Sequence, residues 1–137
     1  MKRAWLVILA VIGAPAFTQE PTMKQLMLDL IHPASNGILL FVNRGGSKND
    51  ADWAAVRRNA LTLAEAGTLL AQRGGRDSGD WAKDAKLLSD SGSAAYKAAQ
   101  AKDLAALAAL TDSIDASCTT CHKQYRPNVF PREGGSK

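Results

Sequence analysis

Cysteine and histidine are both scarce in this chain, two of each in 137 residues. The two cysteines, Cys118 and Cys121, lie three positions apart, so no long loop is stapled by a disulfide and stability must come from packing. No run of alternating apolar and polar residues marks a strand, and no internal repeat or low-complexity tract is present. Basic residues interleaved with aromatics are also missing, which argues against nucleic acid as a partner. Nor does any general acid–base pair or nucleophile arrangement suggest catalysis, so an enzyme is not expected.

The start of the chain has its own composition. Lys2 and Arg3 are followed by an apolar run over residues 4–12 and by Ala14-Pro15-Ala16, a small-residue cleavage site. This is the form of a secretory signal peptide over residues 1–16, and it implies an exported, periplasmic protein. The run falls short of the roughly 20 apolar residues of a spanning helix, and no second such stretch follows, so no membrane span is expected after cleavage; an uncleaved anchor is the other reading. No cysteine follows the run to carry a lipid. The segment holds two of the 17 basic residues and none of the 13 acidic ones, leaving +2 for the rest of the chain. A balance so near neutrality names no charged partner.

Residues 17–127 read as one all-α domain and residues 128–137 as a frayed tail. A first helix is expected over residues 22–43, with Met23, Met27, Leu30, Ala34, Gly37 and Phe41 on one face and a kink at His32-Pro33. After a loop over residues 44–48, Asn49 or Asp50 can cap a second helix whose stripe is Trp53, Val56, Ala60, Leu63, Gly67 and Leu70, ending near Arg73. The third begins between Ser78 and Asp80 and presents Trp81, Ala85, Leu88, Gly92, Ala95 and Ala99. Its small residues permit either close helix approach or room for a flat cofactor. Ser89, Ser91, Gly92 and Ser93 lower its propensity. Asp103 can cap a fourth, running to about Arg126 before Pro127, with Leu104, Leu107, Thr111, Ile114, Cys118, Cys121 and Tyr125 along one stripe. Four heptad-spaced helices with short loops imply an antiparallel up-down-up-down four-helix bundle.

On the last helix stands Cys118-Thr119-Thr120-Cys121-His122, of the form C-x-x-C-H, which reads as a c-type haem attachment site. Two thiols would add to the haem vinyls as thioethers, and the adjacent imidazole would reach the iron as proximal ligand. At about 100° per residue, Cys121 lies about 60° to one side of Cys118, His122 about 40° to the other, and Tyr125 about 20° away, so one inward arc holds all four. One covalent haem c is therefore the expected cofactor. Two other readings stand beside it. A redox C-x-x-C would be expected near a βαβ pattern, and a zinc site would need a further ligand such as the distant His32.

A four-helix exported chain with C-T-T-C-H on its last helix, followed by Lys123-Gln124-Tyr125-Arg126, resembles the class II c-type cytochromes: cytochrome c-prime and its low-spin relatives. The resemblance spans residues 23–126. It implies outer-sphere, single-electron transfer with periplasmic redox partner proteins, and it makes a homodimer possible. It also implies that Arg126, four residues after the haem histidine, lies near the haem; a cation favoured by the helix C-terminus is the plainer account. Members of the class either fill the sixth iron position with a methionine from the first helix or leave it vacant. Aligning Met23-Lys24-Gln25-Leu26-Met27 with that helix puts Met27 nearest the distal position, with Met23 the second choice, His32 a third and no protein ligand a fourth. A vacant position would instead imply a five-coordinate protein binding nitric oxide or carbon monoxide, and a purely structural haem a subunit of assembly or sensing.

Overall fold

In the computed structural model, residues 20–74 and 79–129 are described. The expected signal segment and all but the first two residues of the expected tail lie outside them. The described residues contain helices and no strand, and they form an all-α, four-helix bundle. Helix α1 covers Met23–Asn43, α2 Asp50–Arg73 and α3 Gly79–Gln100; α4 (Leu104–Ala109) and α5 (Thr111–Tyr125) together make the fourth limb.

The caps follow local chemistry. Thr22 and Gln25 bond reciprocally as a capping box at the start of α1. Asn49 accepts from the Ala51 N–H at 2.8 Å to open α2, and Asp103 accepts from the Ala106 N–H at 2.9 Å to open α4. Between α1 and α2 the chain turns through Gly45 and Gly46, with φ of +79° and +75°, a region where a side chain is strained. Trp53 closes this end of the bundle: its indole N–H donates to the Ser47 carbonyl at 2.7 Å and its ring meets Phe41 edge-on at 4.7 Å. Lys102, bonded to Asp50 at 2.6 Å, ties the α3–α4 turn to the start of α2 and holds the Asp50 carboxyl below its ordinary pKa.

The core runs through Ile38, Ala60, Leu63, Ala95, Leu107 and Ile114, all fully buried. Along it α2 and α3 lie in close contact. A Cβ added at Gly67 would stand 2.5 Å from the Ser89 amide nitrogen, and one at Gly92 would meet the Ala64 amide nitrogen, closer still. The small residues of α3 therefore serve close helix approach. The lowered propensity of Ser89 to Ser93 does not break the helix, because packing outweighs it.

Two elements depart from the expectations. Where a kink or brief break is expected, α1 holds a π-helical turn, Leu26–Ile31, directly before His32-Pro33, and the helix runs on unbroken. There the His32 N–H bonds to the Met27 carbonyl, five residues back. Proline lacks an N–H and its ring crowds the carbonyl four residues earlier, here that of Asp29; a wider turn relieves both without ending the helix. The inner face is consequently Leu26, Ile31, Ala34, Ile38 and Phe41, whereas Leu30, expected inside, is 38% exposed. The fourth limb breaks at Leu110. Its N–H turns back to the Leu107 carbonyl at 3.2 Å while the Thr111 hydroxyl donates to the Ala108 carbonyl at 2.8 Å. Helix α1 is also long and apolar enough, by length and composition, to cross a membrane, with a mean hydropathy of 1.2. Its buried face belongs to the core described above.

Candidate functional site

The beginning of α1, the end of α2, the beginning of α3 and the end of α5 come together at one end of the bundle. Arg73 bonds to the Pro21 carbonyl at 2.6 Å and lies 3.6 Å from Glu20. Trp81 donates from its indole nitrogen to the Leu70 carbonyl at 2.6 Å and meets the Tyr125 ring edge-on at 4.9 Å. Gln124 donates to Asp80 at 3.2 Å. These ties hold α5 in place over the first turns of α3.

A small notch of about 40 Å³ opens among these ends, walled by Met27 and Ile31 of α1, Leu70 of α2, Trp81, Asp84, Ala85 and Leu88 of α3, and Ser117, Cys118, Cys121 and His122 of α5. Two wider grooves flank it, of about 600 Å³ on the side of Met23, Lys24 and Tyr125 and about 480 Å³ on the side of His32 and Ile114. Met27 and His122 line all three spaces. Cys118 lines the notch and the smaller groove; Cys121 lines the notch and the larger one. Met23 borders only the larger groove, and His32 only the smaller. Arg126, exposed beyond the last helical turn, borders both grooves. The structure thus gathers Cys118, Cys121, His122 and Met27, and leaves Met23, His32 and Arg126 at the margins.

Neither thiol is in a disulfide, and both are partly buried. Burial pushes the Cys118 pKa up, against a weak contact from Ser117 at 3.9 Å that lowers it and the charge of Asp115 that raises it. Burial first, then the charge of Asp84 and the neighbouring Cys118, raise Cys121 to about 11. Thiols of redox C-x-x-C motifs are shifted down, so these two lack the activation that chemistry uses. Burial and then the Arg126 cation lower the pKa of His122, which favours the neutral imidazole. Among the described residues no three His, Cys, Asp or Glu side chains form a group that could hold a metal ion.

Besides Ile31, two polar residues of the notch were not singled out in the sequence. Ser117 is 3% exposed, its hydroxyl donating to the Ile114 carbonyl at 2.7 Å. Asp84 is 5% exposed, and its Oδ2 has no hydrogen-bond partner. Its position was a readable signal, since an acid three residues after Trp81 and four before Leu88 falls on the inner face of α3.

The residues present fit a covalently held haem. Two reduced thiols, a neutral imidazole and a thioether border a cavity whose lining is otherwise almost wholly apolar, and the larger groove has the volume of a cofactor pocket. Comparison with known proteins adds nothing to this geometry: no family model, no curated protein and no solved structure matches the chain.

Proposed function

We propose that the chain is a periplasmic c-type cytochrome of the class II kind, an up-down-up-down bundle that carries one covalent haem c and passes single electrons to and from periplasmic redox partner proteins. When bound, the haem supplies an iron that alternates between Fe(III) and Fe(II). Cys118 and Cys121 would hold it through thioether bonds, and His122 from α5 and Met27 from α1 would be the ligands of its iron. A soft thioether stabilises reduced iron and suits electron transfer. Arg126, which borders both grooves, would add a positive charge near the group. The walls of Ile31, Leu70, Ala85 and Leu88 exclude water, which limits the reorganisation that would slow outer-sphere transfer.

The observation that carries this reading is that Met27 and His122, on different helices, border the same three spaces, and that both thiols join them in the notch. Absorption spectra of the exported protein in both oxidation states test it. A far-red charge-transfer band in the oxidised form, lost in Met27→Ala and kept in Met23→Ala, is the expected result. A high-spin spectrum in the unmutated protein would overturn methionine ligation and leave the gas-binding reading in its place. Absence of thioether-linked haem would overturn both.

A further inference from the structure

Among the described residues, Asp84 is the one charged side chain in the wall of the notch. At 5% exposure it is stripped of water, and its Oδ2 accepts no hydrogen bond. A carboxylate held this way is destabilised unless something of opposite sign answers it. The protein provides little. On its own helix Asp80, one turn back, has the same sign and Lys83 is exposed to solvent. From α5 it faces Cys118, Cys121 and a neutral His122; from α1, Met27 and Ile31; from α2, Leu70. Burial first, and Asp80 second, push its pKa above the ordinary 3.8, and Lys83 only partly offsets them.

The cofactor of the proposed function would answer this charge. A ferric porphyrin carries a net charge of +1 at its centre, and a ferrous one carries none. A fixed anion beside it therefore favours the oxidised state, because potential follows net charge and burial. We propose that Asp84 is a potential-setting residue of the site: its buried carboxylate stabilises the oxidised centre and lowers the midpoint potential. It acts through charge and not as a ligand. The inference rests on the haem reading given above.

Redox titration of the exported, haem-loaded protein tests it, with Asp84→Asn, Asp84→Ala and Asp84→Glu beside the parent. At a fixed poise, Asn and Ala raise the reduced-to-oxidised ratio by about tenfold, the order expected of a unit charge acting across a partly buried site. Glu, which restores the charge, stays near the parent. Iron coordination, read from the spectrum, and the number of thioethers stay the same in all four. Ala leaves no unsatisfied polar atom, so the series does not depend on Asn folding well. An unchanged potential in Asn and Ala, an equal rise in Glu, or a rise that accompanies altered coordination overturns the inference. In each of these cases the haem reading survives, whereas a parent that carries no haem overturns both.

Discussion

Replacing Gly92 by alanine tests the close approach of α2 and α3 on which the cavity walls depend. A Cβ at position 92 would lie 2.8 Å from the Leu63 carbonyl carbon and 2.9 Å from the Ala64 Cα, with the Ala64 amide nitrogen nearer still. Ordinary contacts of this kind fall between 3.4 and 4 Å. All three atoms are backbone, so no side chain can rotate away, and the helices must part by about 1 Å, loosening the fully buried Leu63 and Ala95. Overpacking of this type costs about 1–3 kcal/mol and occasionally more. Against it, alanine in place of glycine within a helix gains about 0.5–1 kcal/mol. Over most of that range the clash wins, and the net loss expected is about 1 kcal/mol at its middle and about 2.5 kcal/mol at its top. Gly79→Ala provides the control, because nothing lies within 4 Å of its added Cβ. Urea unfolding followed by circular dichroism at 222 nm measures both variants, provided the transitions stay two-state with unchanged slope. A Gly92→Ala protein as stable as its parent, or as stable as Gly79→Ala, would refute the packing argument.

Two further outcomes follow from the site. In the haem-free chain, Cys121 titrates near 11 against an ordinary 9.0, so its alkylation by iodoacetamide rises about tenfold per pH unit from pH 8 to 10; a rate at pH 8 equal to that in urea would contradict the burial argument. The raised value stabilises the protonated native form, so this contribution is complete below pH 9 and is lost as pH climbs toward 11, where the midpoint of thermal unfolding falls. Pro33→Ala removes the cause of the π turn and lets α1 close to ordinary α geometry, which rotates residues before it by about 100° relative to the core. Met27 then turns away from the His122 cavity, and the far-red band of the oxidised protein is lost; retention of that band would show that the turn does not depend on the proline.

The parts of the fold that were legible are those decided within one turn of chain. Asn49 and Asp103 cap where their side chains reach the next free N–H groups, and the stripe of α2 is buried throughout, from Trp53 to Leu70. Of the inward arc expected on α5, Cys118, Cys121 and His122 are half-buried and line the notch, whereas Tyr125 at its end is exposed. What was not legible depends on neighbours. Whether Gly92 makes room for a cofactor or for α2 is settled by the Ala64 backbone, 28 residues away in sequence. The break at Leu110 has no proline or glycine to announce it and rests on the Thr111 hydroxyl competing for a helix carbonyl.

Helix α1 shows most sharply how local chemistry and tertiary demand combine at the site. A 4-3-4 stripe through Leu30 assumes one constant pitch, yet the buried series Leu26, Ile31, Ala34, Ile38 and Phe41 advances by five before it advances by three and four. A step of five is the spacing of a π turn, so the register change was written in the positions of the aliphatic residues as well as in Pro33. One extra residue in the turn lets Ile31 stay in the core while Met27, four residues before it, lines the same cavity as His122. Irregular turns of this kind recur at functional sites because they re-aim a side chain without giving up the helix. The place of Met27 in the cavity wall therefore depends on the turn that precedes Pro33, six residues downstream, and is a property of the backbone as much as of the methionine itself.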